Sequence, residues 1–202
     1  MRNILLTGVG GQGTVLAAKI LAAAYEHKGR HVRTAETLGM AQRGGSVVSF
    51  VRMADPGKTV SSPVIPKLGA DLLISFEPAE GVRMLPYLKP GGTFVTATTA
   101  IQPVTAALAR DPYTGQKAQQ LLRRAAPGAL MVDDAELLAL VGNPKALNIV
   151  LLTVAQATGQ LDITIEGFKQ AIADCVKPKL VEMNLQAVDT VRDYLAKRPG
   201  LL

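Results

Sequence analysis

The chain has 202 residues, 48% of them hydrophobic and 4% aromatic, with 22 Lys and Arg against 16 Asp and Glu for a net charge of +6. That is enough apolar material for one sizeable core and excludes a disordered chain. The single cysteine, Cys175, excludes an intrachain disulfide and cannot supply the thiolates of an iron–sulfur cluster, and no apolar run is long enough for a membrane span.

The first predicted element is "NILLT" at 3–7, a buried strand that runs into "GVGGQGT" at 8–14. "TVLAAKILAAAYEHKG" follows as a helix, with apolar positions at Leu16, Ile20 and Ala23 or Ala24 and a stop at Gly29. "HVRTAE" is a second strand, "TLGMAQRGG" is too glycine-rich and irregular for a helix, and the β-branched "SVVSFVRM" is a third strand. "DPGK" breaks the chain, and the short extended piece "VSSPVIP" is pinned by Pro63 and Pro66. "ADLLISF" is a buried strand, "EPAEGVRMLPYL" a short helix, "KPGG" a turn and "TFVTATT" a further strand.

Helix-like "QKAQQLLRRAA", strand-like "ALMVDD" and helix-like "AELLALVG" continue the alternation. Strands and helices in this order predict an α/β, Rossmann-like fold, a mainly parallel sheet flanked by helices, over 1–142. Residues 143–202 form a helical C-terminal portion of the same single domain, in the segments "NPKALNIVLLTVAQATG", "TIEGFKQAIADCV" and "KPKLVEMNLQAVDTVRDYLAKRPG". In the last of these Val181, Leu185, Val188, Val191 and Leu195 make one apolar helix face. Its partner is either the chain's own sheet or a second subunit.

The opening turn has the spacing GxGxxG through Gly8, Gly10 and Gly13, at the carboxyl edge of the sheet. Such a turn lets backbone approach an anion closely, and Glu36 at the end of the second strand is placed to hold a ribose. A nicotinamide or flavin site is therefore allowed, beside the plainer reading of a turn that only packs a helix tightly. The phosphate loop of nucleotide hydrolases is excluded, because GxxxxGK[ST] does not occur. A second glycine-rich stretch, "ETLGMAQRGGSVVSFVR" at 36–52, sets the Arg43 guanidinium beside Gly44, Gly45 and the Ser46 hydroxyl. These groups could donate to a phosphate or carboxylate at the same edge, or Arg43 is solvated or paired with Glu36.

Other residues have structural readings. His27 and His31 lack a third ligand and belong to a helix end, so no metal site is expected. Cys175 reads as a small buried hydrophobe, and Asp133 with Asp134 as a helix N-cap pair. The basic residues are spread without a dense run, and aromatics to stack bases are few, which argues against nucleic acid. No secretory signal pattern precedes the first strand, so a cytoplasmic location is expected.

Taken together, "GVGGQGTVLAAKILA", "GMAQRGGSVVSFVR" and "SPVIPKLGADLLISFEPAEGVRMLPYLKPGG" resemble the gamma-type subunits of 2-oxoacid:ferredoxin oxidoreductases over about the first 100 residues. "MAQRGGSV", "EPAE" and "YLKPGG" are most similar to the small beta subunit of the indolepyruvate branch. The resemblance implies a large partner subunit carrying thiamine diphosphate, magnesium and iron–sulfur clusters, with no cofactor held firmly here. It implies oxidative decarboxylation of aryl-pyruvates to acyl-CoA, coenzyme A as co-substrate, and electrons passed to ferredoxin through the complex. Neither a cysteine cluster nor a GDG-type thiamine segment occurs in the sequence, which agrees. Gly8, Gly10, Gly11, Gln12 and Gly13, with Gln42, Arg43, Gly44, Gly45 and Ser46, are then expected to form one surface facing the partner's active site or the coenzyme A phosphates. No catalytic residue is expected in this chain. A free-standing NAD(P)- or flavin-binding oxidoreductase, or a non-catalytic metabolite-binding or scaffold protein, are the alternatives.

Overall fold

Strand β1 (Arg2–Val9) is buried continuously from Ile4 to Val9, as a strand covered on both faces must be. The computed structural model describes residues 1–39, 44–102 and 113–198. Five further strands, β2 (Val32–Leu38), β3 (Ser46–Met53), β4 (Ala70–Ser75), β5 (Leu88–Ala97) and β6 (Leu130–Val132), join β1 in the order β2-β3-β1-β4-β5-β6. The helices are α1 (Thr14–His27), α2 (Pro78–Met84), α3 (Gln116–Ala125), α4 (Asp134–Val141), α5 (Leu147–Ala157), α6 (Ile165–Cys175) and α7 (Pro178–Ala196). None among the described residues is long and apolar enough to cross a membrane.

β1, β4, β5 and β6 are parallel, as expected of a Rossmann-like sheet. β3 is the exception and runs antiparallel to both β1 and β2. The connection 39–45 is too short for the crossover that a parallel return needs. "KPGG" is not a turn before a strand but lies within β5, where the pairing jumps from Ala70–Leu88 to Leu72–Thr93. Lys89 to Gly92 are thus bulged out of the ladder.

The larger core lies on one face, where Ile4, Leu6, Ile74 and Val95 meet Ile20 and Leu21 of α1 and Ile149 to Leu152 of α5. Each of these buried side chains contributes roughly 1.5–3 kcal/mol relative to exposure. The smaller core, on the other face, joins Leu5, Phe50, Leu73 and Phe94 to Leu122 of α3. The α7 face is answered within the chain: Val188, Val191 and Leu195 are buried, and the helix packs on α4, α5 and α6 rather than on the sheet.

Local signals account for the element ends. Gly29, with φ 69°, follows α1 as the sequence predicts. Asp133 caps α4 by accepting from the Glu136 amide at 3.1 Å. Asp134 instead accepts from the amides of Thr98 and Thr99 at 2.9 Å, so only one of the pair is a cap and the other ties α4 to the end of β5. Cys175 closes α6 and is only half-buried, a correction to its reading as a core residue.

Candidate functional site

β1 and β4 are parallel neighbours whose following helices leave on opposite faces, α1 against the larger core and α2 against the smaller. That divergence opens a crevice at the carboxyl ends of the two strands, the usual ligand position in open α/β sheets. Here Gln12 fills it. Its Oε1 accepts from the Val9 amide at 2.8 Å, and its Nε2 donates to the Phe76 carbonyl at 2.6 Å. Glycine is required at Gly8 because a Cβ there would lie 2.7 Å from Gln12 Oε1 and 2.9 Å from Phe76 Cβ.

The rest of the turn is bonded inward as well. The Gly10 amide donates to the Gly45 carbonyl at 2.8 Å, and the Gln12 amide to the Val9 carbonyl at 3.2 Å. Among the described residues, the turn amides without a protein acceptor are those of Gly11 and Gly13. Gly13 ends the turn in the left-handed region at φ 80° and stands as N-cap of α1 without a side-chain cap. Asn148, on the first turn of α5 and 5% exposed, lies against it, so that a Cβ on Gly13 would meet Asn148 Nδ2 at 2.9 Å.

A second set of bonds ties the start of β3 to α2. Ser46 Oγ donates to Glu80 Oε2 at 2.7 Å, and Arg83 pairs with the same carboxylate at 2.6 Å. Glu77, 2% exposed, caps α2 by accepting from the Glu80 amide at 3.0 Å, and its other oxygen accepts from Tyr113 Oη at 2.5 Å. Burial first, then the bond to Glu77, hold the Tyr113 phenol protonated well above the usual tyrosine range.

Of the residues expected at the site, Gly8, Gly10, Gly11, Gln12, Gly13, Gly44, Gly45 and Ser46 are brought to one edge, with Gly10 against Gly44 and Gly45. Gln42 and Arg43 lie outside the described residues. Asn148, Glu77, Glu80 and Tyr113 were given no role by sequence. Glu77 and Glu80 stand three apart at a helix start, the spacing of a capping box, which could have found them. Asn148 carried no signal.

This geometry does not fit a dinucleotide. Gln12 occupies the crevice, and Glu36 is exposed on β2, two strand spacings or roughly 10 Å from β1 because β3 intervenes. The two histidines stand apart and have other partners. His27 pairs with Asp174 at 3.2 Å, His31 Nδ1 accepts from the Val60 amide at 3.1 Å, and no group of three metal-ligating side chains occurs among the described residues. Beside the turn, Gly11, Gly13, Thr14, Lys19 and Cys175 border an open hollow of about 450 Å³. Burial pushes the Cys175 thiol up, away from the thiolate a nucleophile needs.

A family model described as pyruvate ferredoxin/flavodoxin oxidoreductase matches residues 3–194. The chain belongs to this family. It is 36% identical to an indolepyruvate oxidoreductase subunit IorB of Thermococcus kodakarensis, over 93% of this chain and 92% of that one. The IorB of Archaeoglobus fulgidus is 37% identical over 92% and 91%. A pyruvate/ketoisovalerate oxidoreductase common gamma subunit of Thermococcus kodakarensis shares 28% over 94% of each chain. Among solved folds, a keto/oxoacid ferredoxin oxidoreductase gamma subunit from Geobacter sulfurreducens superimposes with TM-score 0.66 at 21% identity, covering 98% of this chain and 99% of that one. A 2-oxoglutarate:ferredoxin oxidoreductase from Magnetococcus marinus, holding 2-oxoglutarate, coenzyme A and succinyl-CoA, gives 0.72 at 20% identity over 97% of this chain and 31% of the other. This chain is thus a homologue of subunits of 2-oxoacid:ferredoxin oxidoreductases, on the side of the indolepyruvate members.

Proposed function

We propose that the chain is the cluster-free small subunit of a cytoplasmic indolepyruvate-type 2-oxoacid:ferredoxin oxidoreductase, acting as one unit over residues 1–202. The observation that carries this reading is the 36% identity to an indolepyruvate oxidoreductase subunit across nearly the whole of both chains. Its partner is a large subunit with thiamine diphosphate, magnesium and iron–sulfur clusters. One cysteine cannot hold a cluster, so electron transfer to ferredoxin belongs to that partner. The partner's cofactors supply the decarboxylation of an aryl-pyruvate and the electron path, and coenzyme A accepts the acyl group.

This chain contributes its carboxyl edge. Gly8, Gly10, Gly11, Gln12 and Gly13, with Gln42, Arg43, Gly44, Gly45 and Ser46, face the partner's active site or the phosphates of coenzyme A. Two features support this: the turn is locked from within by Gln12 and Gly45, and amides at Gly11 and Gly13 stay without a protein acceptor among the described residues. A rigid, donor-rich edge suits an anion delivered from outside, since no donor has to be reordered on binding.

The test is reconstitution with the large subunit under anaerobic conditions, followed by Arg43→Ala and Gly11→Val variants. Aryl-pyruvate-dependent, coenzyme A-dependent ferredoxin reduction by the wild-type pair is the expected result, with the variants raising the KM for coenzyme A or weakening assembly. Variants unchanged in both respects overturn the assignment of the edge, and a wild-type pair without turnover overturns the function.

A further inference from the structure

The motif "YLKPGG" at 87–92 has no part in the carboxyl edge. It lies at the opposite end of the sheet, where β4, β5 and β6 begin, on the floor of an open groove of about 610 Å³. Gly91 has φ 73°, and a Cβ on Gly92 would lie 2.7 Å from Leu88 Cδ1 and 3.0 Å from the Ala70 carbonyl, so the bulge in β5 is passable only without side chains there. Leu85 and Pro86 wall the groove on one side, Ala126 and Pro127 on the other.

Leu68 stands on its rim. It is 63% exposed and, at φ 57°, is the one non-glycine residue with positive φ among the described residues. A bulky side chain in the left-handed region is strained. The conformation is held by the Leu68 amide on the Pro86 carbonyl at 3.0 Å and the Gly69 amide on the Pro66 carbonyl at 3.1 Å. Folding gains nothing from presenting a strained leucine to water, which points to a use outside the chain.

The charges around the groove say what kind of use. Segments 64–71, 82–93 and 121–130 carry Lys67, Arg83, Lys89, Arg123 and Arg124, of which Arg83 is paired with Glu80 and Lys89 with Asp71. Asp71 also accepts from the Asn3 amide, so the cations left beside the groove are Lys67, Arg123 and Arg124. Arg123 and Arg124, on the last turn of α3, have no ion-pair partner among the described residues. Small ligands of such sheets bind at the carboxyl edge, whereas an open apolar groove with Lys67, Arg123 and Arg124 next to its lining residues in sequence suits a protein segment with apolar anchors and carboxylates.

We infer that this groove is a second docking surface, taking an acidic segment of the large subunit that places an apolar side chain beside Leu68. The inference rests on the proposed subunit role and adds where else the partner is held. A large partner spanning both ends of the sheet would fix the orientation of the carboxyl edge against its active site.

The test measures binding of the purified chain to the purified large subunit by sedimentation at low and high salt, using Leu68→Gly and the double variant Arg123→Glu/Arg124→Glu. Leu68→Gly relieves the backbone strain, so its Tm is expected to hold or rise while affinity falls by about fivefold or more. The double variant is expected to lose about tenfold at low salt and to show little further loss on adding salt. Wild-type affinity in both variants, with the wild-type pair associating, overturns the groove alone. A wild-type chain that does not associate with the large subunit removes the groove and the subunit role together.

Discussion

The amide of Gly10 donates to the carbonyl of Gly45 over 2.8 Å, and through that bond the turn after β1 and the approach to β3 become one surface. Because β3 runs opposite to β1, its first residue, Ser46, lies beside Val9, the last of β1. A parallel β3 would have begun at the other end of the sheet and left the two glycine-rich stretches a strand length apart. The reversal of one strand is thus what assembles the candidate site.

Gln12 is the keystone of that surface, and Gln12→Leu should show it. The substitution leaves the Val9 amide and the Phe76 carbonyl without their partner in a partly buried place, so a loss of about 1–3 kcal/mol is expected. Urea unfolding followed by far-UV circular dichroism measures it. An unchanged midpoint would mean that water serves both groups equally well.

Gly13→Ala is expected to be worse than a helix-propensity scale suggests, since alanine normally favours helices. At φ 80° the new Cβ is strained and also meets Asn148 Nδ2 at 2.9 Å, so a loss of about 2 kcal/mol or more is expected. Asn148→Ala in the same background should recover part of it, because the clash and not the strain is removed. A double variant no more stable than Gly13→Ala would place the whole cost in the backbone.

Titration of the isolated chain with NADH, NADPH or FMN, followed by cofactor fluorescence, should give no saturable signal. Gln12 fills the crevice, and Glu36 is a strand too far away to reach a ribose beside the turn. Micromolar binding of any of the three would contradict this and restore the free-standing oxidoreductase reading.

Tyr113 predicts a pH dependence. Its phenol is raised above the ordinary value of 10.0, chiefly by burial and next by the bond to Glu77. Below the unfolded pKa the phenol is protonated in both states and its contribution is intact. Above it the unfolded chain releases a proton that the folded chain retains, so stability falls as pH climbs past about 10. Tyr113→Phe should therefore be less stable near neutrality, having lost the bond to Glu77, but should decline less steeply between about pH 10 and 11.5 in thermal unfolding. Parallel curves for the two proteins would mean that Tyr113 does not set this pH dependence.

Much of the fold was legible because the central strands are near-continuous apolar runs, as at Ile4 to Leu6 and Leu72 to Ile74, and because Gly29 punctuates the first helix. The direction of β3 was harder, since hydrophobicity carries no direction. Only the shortness of 39–45 announced a reversal. "KPGG" has turn composition but is tolerated inside β5, because a bulge allows what a regular ladder forbids. At the site, the glycines of the first turn announced a tight backbone, yet spacing alone could not say whether the crevice they border holds a ligand or a glutamine from the turn itself. Asn148 was invisible, being more than a hundred residues away in sequence and placed only by how α5 packs on α1.

Anaerobic affinity purification of the tagged chain from its native cells, recording the masses of co-eluting proteins and the visible spectrum, decides the subunit role. A brown complex with one large, cluster-bearing subunit that reduces ferredoxin with an aryl-pyruvate and coenzyme A is the predicted result. A colourless chain eluting alone under gentle conditions, at low salt and without oxygen, would contradict it.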